Sequence, residues 1–229
     1  SNWMNPALAG RVFVFFSWTG AMTRWKLPMA WSAQGVDSVT GPTVLGAVQS
    51  GLFDFSGTVS GPLEFISRDG LMPLDVSYAD LFFGRVPGCI GEVSALLLII
   101  GAAYLFLRKV ITWEIPLAYF GSFALLVWVF GGTRFGLGLF SGDVLFHLLS
   151  GGLMLGVLFM ATDMVTSPLT PKGMIIFGLG AGFLTFMIRF FGSFPEGVSL
   201  AIIVMNVFVP MINRAVKPVR FGTLEQKGK

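Results

Sequence analysis

A single cysteine, Cys89, stands in the whole sequence. It excludes an intrachain disulfide, and no cysteine cluster exists to hold zinc or an iron–sulfur group; a small buried residue is its plainest role. Charge is scarce as well, at 12% of 229 residues, against roughly a quarter in soluble domains. No basic run interleaved with aromatics occurs, which leaves nucleic-acid binding without a footing. Alternating polarity is missing too: runs such as Ala95-Leu96-Leu97-Leu98-Ile99-Ile100 do not switch sides at each residue, as a membrane β-barrel demands. No signal peptide with basic, apolar and small-residue regions opens the chain. It starts at Ser1 in a polar stretch, and the expectation is that an N-terminal part of a longer protein precedes it.

What is present is apolar. Hydrophobic residues make up 54% of the chain, with 30 Gly and 24 Phe, and mean hydropathy is +0.79. Gly and Phe are abundant where helices pack closely in lipid. A membrane-crossing helix needs ~20 mostly apolar residues. Six stretches approach that length: about Pro6–Met22, Val93–Leu107, Ile115–Phe130, Val144–Thr162, Gly173–Phe191 and Gly197–Ile212. Several are nearer sixteen residues, which leaves room for short, tilted or interrupted spans. Lipid offers backbone groups no partner, so all six are expected to be helical. The fold class is therefore all-α, a polytopic membrane protein of about six transmembrane helices with one long extracytoplasmic loop after the first span.

That loop, about Thr23 to Gly91, holds Asp37, Asp54, Glu64, Asp69, Asp75 and Asp80 among many Gly, Ser and Pro residues, the composition of a turn-rich aqueous excursion. The expected division is a first span and its approach (1–22), the loop (23–91), a five-helix bundle (92–213) and a basic tail (214–229). Six spans put both chain ends on one side. Arg108, Lys109, Lys172, Arg214, Lys217, Arg220, Lys227 and Lys229 gather there, against Arg24, Lys26, Arg68, Arg85 and Arg134 on the other. The positive-inside rule then places the termini in the cytoplasm and the loop outside.

Ionisable residues near the membrane core are functional candidates because burying them is expensive. Arg11, Glu92, His147, Asp163 and Arg189 qualify. A lone His such as His147 is more often a hydrogen-bonded core residue than a ligand, and Arg189 is able to reach the interface along its apolar stem. Glu92 and Asp163 each adjoin a helix end flanked by small or hydroxylated residues, where a cation or flavin edge has room; a helix cap is the plainer role for both. Gly88-Cys89-Ile90-Gly91-Glu92 opens the second span, and glycines there leave backbone N–H groups that suit a phosphate or simply make a tight turn. Sequence physics alone stops at a polytopic transporter or a subunit of a membrane complex.

Three stretches together resemble one family. Asp37-Ser38-Val39-Thr40-Gly41-Pro42-Thr43 is similar to the signature at which a flavin transferase attaches FMN. Met160-Ala161-Thr162-Asp163-Met164-Val165-Thr166-Ser167-Pro168-Leu169-Thr170 resembles a characteristic run of the same family, and Pro195-Glu196-Gly197 followed by Met205-Asn206 is a third match. Asn5-Pro6-Ala7 and Gly91-Glu92 support them. The family is that of the D subunit of the Rnf complex and the B subunit of the sodium-pumping NADH:quinone oxidoreductase; Thr166-Ser167-Pro168-Leu169-Thr170-Pro171-Lys172-Gly173 is nearer the Rnf side. The resemblance extends to about Gly222 and aligns with the later part of the family, so the family's earlier spans lie outside this sequence.

The resemblance implies covalent FMN on Thr43 through a phosphoester, facing the outer side, with Asp37, Thr40, Gly41, Gly88, Gly91 and Glu92 around it. It also implies non-covalent riboflavin between the helices of some members, the other complex subunits and the lipid bilayer as partners, and a flavin transferase for maturation. The cell membrane of a bacterium or archaeon is the implied location. No catalytic residue and no metal ligand is expected, and Glu92 and Asp163 are the candidates for an ion path. The implied function is relay of electrons, within a ferredoxin:NAD oxidoreductase complex, coupled to Na⁺ or H⁺ movement; the chain is not expected to be active alone. The quinone-reductase subunit is the alternative within the family, and a redox-inactive channel or a structural anchor the alternatives outside it. Departures from the family pattern are Pro42 in place of Ala, Cys89 of Ser, Met164 of Pro and Asn213 of Asp. Pro42 pushes Gly41 towards an extended backbone, and Asn213 removes a carboxylate at the end of the last span.

Overall fold

The structure, a computed structural model, describes residues 3–23, 25–26, 40–41, 43–49, 53–54, 64–67, 74–75, 77–89, 91–135, 138–192 and 197–217. Asp37, Pro42, Asp69, Pro195 and Glu196 lie outside the described residues, as do Arg24 and Arg68, much of the long loop, and the tail beyond Lys217.

The first helix, α1 (Pro6–Ser17), starts where Asn5 accepts hydrogen bonds from the amides of Ala7 and Leu8 and where Pro6 needs no partner for its nitrogen. A short helix α2 (Thr19–Met22) follows. The loop adds two small antiparallel pieces to the helical fold: β1 (Trp25–Lys26) pairs with β2 (Thr40–Gly41), with Trp25 opposite Gly41. Then β3 (Phe53–Asp54), β4 (Glu64–Ser67) and β5 (Leu74–Asp75) pair in that order. Between the two pieces lies α3 (Val44–Gln49). The loop closes with α4 (Tyr78–Phe83), bracketed by a Ser77–Asp80 capping box and by Gly84 at φ 86°. Gly84 is fixed by both conformation and space, since a Cβ there would lie 2.9 Å from Ser94 Cα.

The apolar stretches then follow as helices. They are α5 (Ala95–Leu107), capped by Ser94, and α6 (Glu114–Phe130), then α7 (Val144–Leu149), capped by Asp143, and α8 (Leu153–Leu155), which continues as a π-helical turn over Gly156–Met160. Last come α9 (Pro171–Phe191), capped by Thr170, and α10 (Val198–Ala215). Among the described residues, Glu114–Thr133, Pro171–Phe191 and Val198–Ala215 are long and apolar enough to cross a membrane; Pro6–Ser17 and Ala95–Leu107 are apolar but shorter. The chain is an all-α, multi-pass membrane protein. The stretch Val144–Thr162, read in the sequence as one span, is broken at Ser150-Gly151-Gly152, where both glycines take positive φ (67° and 64°).

Helices α6 and α9 form the closest pair. A Cβ on Gly178 would lie 2.8 Å from both the Ile115 carbonyl and the Ala118 methyl, and one on Gly182 would lie 2.7 Å from the Tyr119 carbonyl. The Gly178-x-x-x-Gly182 face thus meets the Ala118-x-x-x-Ser122 face backbone to backbone, the small-residue packing that substitutes for a hydrophobic driving force in lipid. Residue numbers rise together along the contact, so the two helices run parallel. Tyr119 and Thr185, both fully buried, share a 2.6 Å hydroxyl contact across it. Against α9, α10 runs antiparallel: Gly173 faces Ile212, Gly180 faces Met205 and Gly197 faces Ile188. Phe123, Val127, Phe177, Phe186, Leu153 and Val157 fill the core between them.

The helix order sorts the loops between two ends of the bundle. Arg108, Lys109, Lys172, Arg214 and Lys217 lie at the end formed by the close of α5, the starts of α6 and α9 and the close of α10. At the opposite end, α4, the start of α5 and the helix break come together around Thr43.

Candidate functional site

Thr43 precedes α3 and is 8% exposed. Its Oγ1 accepts the Gly46 amide at 3.1 Å, so the side chain is fixed as the helix cap rather than left to swing. This residue forms part of the wall of two clefts. The larger, about 100 Å³ and open to solvent, is lined by Arg11, Phe15, Phe16, Trp25 and Ser199 as well as Thr43. The smaller, about 30 Å³, runs from Thr43 past Gly88 and Glu92 to Ser150, Gly151 and Gly152. Of the two, the first has aromatic walls against which a ring system can lie; the second leads to the break between α7 and α8.

One ion pair joins the clefts. Arg11, in the wall of the larger, meets Glu92 Oε2 at 3.3 Å with its Nη2, and the Glu92 side chain is only 4% exposed. Oε1 of the same carboxylate accepts the Cys89 amide at 3.2 Å. A Cβ on Gly152 would come within 2.8 Å of Glu92 Oε2, so glycine is needed there for close approach as well as for φ. Glu92 therefore packs against Gly152, the residue that precedes α8, without capping that helix.

The carbonyl end of α7 is met by the opposite charge. Arg189, near the end of α9 and 3% exposed, donates from Nη1 to the His147 carbonyl at 2.7 Å and from Nη2 to the carbonyls of Ser150 and Gly151, both at 3.1 Å. Its guanidinium also lies 5.1 Å from the centre of the Phe123 ring. The long stem of Arg189 would let it reach the interface; the side chain turns inward instead, because three carbonyls released by the helix break offer it a better partner than solvent.

The other candidates fall in different places. Thr40 and Gly41 belong to the backbone of β2, opposite Trp25–Lys26. Gly88 lines the smaller cleft, and Gly91, exposed with φ 90°, makes the turn that carries Glu92. The helix proper begins only at Ala95, so Gly88, Cys89, Gly91 and Glu92 precede α5 rather than supply its first amides, and the Cys89 amide is already occupied by Glu92. Asp163 lies at the opposite end of the bundle. Ten residue steps from Gly152 to Thr162 separate the two ends, at most roughly 15 Å of helical rise, so Glu92 and Asp163 are not brought together. Asp163 accepts from Thr166 Oγ1 at 2.8 Å and from the Val165 amide at 3.4 Å, ordering the turn before Pro168. Asn213 accepts the Leu169 amide at 3.2 Å and so closes the same loop onto α10. His147 is buried between Phe146 and Phe190, and its carbonyl is what Arg189 uses. Among the described residues no group of three or more His, Cys, Asp or Glu is placed to hold a metal ion.

Two features went unread in the sequence. The Arg11–Glu92 pair spans 81 positions, a separation no local pattern encodes. The helix break had a visible signal in Ser150-Gly151-Gly152, which the apolar residues on both sides overrode.

Residues 1–222 match the model of the NQR2, RnfD, RnfE family. The chain is 46% identical over 223 residues to the D subunit of the proton-translocating ferredoxin:NAD(+) oxidoreductase complex of Clostridium ljungdahlii, covering 97% of this chain and 62% of that protein. It is 39% identical over 229 residues to the D subunit of the Na(+)-translocating ferredoxin:NAD(+) oxidoreductase complex of Acetobacterium woodii, covering 99% and 61%. To the B subunit of the Na(+)-translocating NADH-quinone reductase of Chromohalobacter salexigens it is 34% identical over 218 residues, covering 93% and 47%. The chain thus spans about three fifths of the length of the two ferredoxin:NAD(+) oxidoreductase relatives.

Proposed function

This chain belongs to the NQR2, RnfD, RnfE family, and we propose that it is part of the flavin-bearing membrane subunit of an ion-translocating ferredoxin:NAD⁺ oxidoreductase complex, with FMN esterified to Thr43. The other subunits of that complex and the bilayer are its partners, and a flavin transferase matures it. The Rnf-type reading is favoured over the quinone-reductase one because the ferredoxin:NAD(+) oxidoreductase relatives are the more similar and more fully covered.

The observation that carries the reading is the position of Thr43. It stands on the wall shared by an aromatic cleft and by a cleft that reaches the helix break. The residues fit the group. Phe15, Phe16 and Trp25 supply apolar faces for an isoalloxazine ring, Ser199 and Thr23 supply hydroxyls, and Arg11 supplies a cation beside the attachment point. When bound, the flavin supplies the electron relay.

The chain's own contribution is to hold and insulate. Capping of α3 fixes Thr43 Oγ1, and a phosphoester tether there keeps the ring at the cleft at high effective concentration. Arg11 is itself held by Glu92, so the cation near the tether is already in place before any ligand arrives. The basic end of the bundle faces the cytoplasm by the positive-inside rule, which puts Thr43 and both clefts at the outer surface. Ion movement uses the spans, with Glu92 at the outer end and Asp163 at the inner end as its acidic groups; non-covalent riboflavin, where present, sits between helices.

Ultraviolet fluorescence of the denatured protein band tests the attachment. Protein from cells that contain the flavin transferase gives a fluorescent band, and Thr43→Ala gives a dark one at equal loading. A dark wild-type band beside a bright flavinylated control overturns the reading and moves the redox-inactive channel or anchor ahead.

A further inference from the structure

The basic end of the bundle carries two cations at positions that their own backbone disfavours. At the close of α5 the Lys109 amide meets the Phe106 carbonyl and the Val110 amide meets the Leu105 carbonyl, each at 3.0 Å, a Schellman arrangement whose left-handed residue is usually glycine. Here that residue is Lys109, at φ 55°, where a side chain strains the backbone. Lys172 is out of place in a second way. It sits in the first turn of α9, which holds no acidic residue, although the amide end of a helix disfavours a cation. The Thr112 hydroxyl reaches the Met174 sulfur at 3.7 Å and so brings the start of α9 beside the α5–α6 turn. With Arg108 these lysines make three exposed cations, and among the described residues none is paired with a carboxylate. Local structure accounts for Arg108 alone, at the carbonyl end of α5.

An apolar surface leads up to this charge. Leu97, Ile100, Tyr104 and Leu107 are all exposed, and their helical spacing puts them on one face of α5, away from the buried Ala95, Leu98 and Ala102. The stripe rises roughly 15 Å, about the depth of one hydrocarbon leaflet, and it stops at Arg108. Trp113, also exposed, lies flat on Phe106 with ring centroids 3.6 Å apart and 7° between the planes. A tryptophan here belongs to the membrane–water boundary, so the neighbouring cations stand at headgroup depth.

We propose that the outer face of α5 and the turn after it bind an anionic phospholipid, with its acyl chains along the stripe and its phosphate among Arg108, Lys109 and Lys172. Charge complementarity selects an anion, and the stripe selects one that carries hydrocarbon. A free phosphate leaves the stripe unused, and an acidic soluble protein does not reach down it. The ligand also explains why lysine stands at both disfavoured positions: each sacrifices local stability for charge at the headgroup, the pattern expected of a binding site. The inference does not depend on the flavin.

Photo-cross-linking in the assembled complex tests it. Phosphatidylcholine vesicles holding the complex carry either a photoreactive phosphatidylglycerol or the matching phosphatidylcholine analogue, and mass spectrometry locates the adducts. Phosphatidylglycerol is expected to label residues 97–113 about fivefold more than phosphatidylcholine, or better, and raised salt shrinks the excess. Lys109→Gly and Lys172→Gln each lower the excess, and the double variant abolishes it. Because glycine suits the left-handed position, Lys109→Gly melts no lower than wild type, which separates lost binding from lost fold; a lower melting temperature removes the strain argument and overturns the inference. Equal labelling by the two lipids, labelling by neither (a face covered by protein), or an excess that survives in the double variant overturns it too. So does an excess abolished by inorganic phosphate but not by sodium chloride of equal ionic strength, which marks a site for free phosphate.

Discussion

The Arg189 guanidinium donates to the carbonyl of His147 at 2.7 Å, across 42 positions of sequence, and this contact closes the carbonyl end of a helix that stops in the middle of an apolar stretch. A broken helix leaves carbonyls on one side of the gap and amides on the other, and in lipid neither set has water to turn to. Arg189 answers the first. The carbonyl side of the break is therefore built with a charge of the appropriate sign.

Replacing Arg189 tests that arrangement. Arg189→Met leaves three carbonyls, two of them buried, short of a charged donor and is expected to destabilise the fold by about 3 kcal/mol or more, whereas Arg189→Lys retains the charge and shows a smaller part of the loss. Thermal unfolding of the detergent-solubilised complex measures both; equal melting temperatures for Arg189→Met and wild type contradict the role.

The parallel pair of α6 and α9 depends on Gly178. Its missing Cβ would meet both the Ile115 carbonyl and Ala118 at 2.8 Å, and backbone cannot step aside as a flexible side chain does. Gly178→Leu is expected to separate the helices at a loss of about 3 kcal/mol, read as reduced recovery of folded protein from the membrane. Gly121→Leu, at a position with open space around it, is the control that leaves recovery unchanged.

Asn206 presents the reverse case. It is 1% exposed on α10, and neither amide atom of its side chain has a hydrogen-bond partner among the described residues. Asn206→Leu keeps the volume and removes two desolvated polar atoms, so a rise in stability of about 1–3 kcal/mol is expected. A fall in melting temperature shows instead that the amide is satisfied in the working protein.

Tyr78 ties the loop to the bundle. Its hydroxyl donates to Asp143 at 2.6 Å, joining α4 to the cap of α7. Burial, with the neighbouring Asp143 carboxylate, raises the phenol pKa well above its ordinary value. A group whose pKa is raised keeps its proton until higher pH, so this tether persists at and well above neutrality. Tyr78→Phe is expected to increase amide exchange across α4 while leaving α6 and α9 protected, as exchange followed by mass spectrometry will show.

The long helices were legible because they are written locally. Thr170-Pro171 announces the start of α9 and Ser94 that of α5, and the apolar run behind Pro171 is long enough to cross a membrane. Glu92 was legible as a costly buried carboxylate. Its partner was not, because Arg11 lies on another helix and nothing in the sequence around either residue fixes which face each presents. The break at Gly151-Gly152 escaped for a different reason: hydropathy averages across it, and only the positive φ of both glycines reveals that the helix ends there. Arg189 was read from its long apolar stem, which fits an interfacial residue as well as a buried one until the freed carbonyls are in view.

Intact-mass measurement of the chain purified from cells holding the flavin transferase tests the central claim most directly. The account predicts a chain heavier by one FMN less the water lost on esterification, fragmentation that places the addition on Thr43, and loss of the addition in Thr43→Ala. An unmodified chain, or an addition located at another residue, contradicts it.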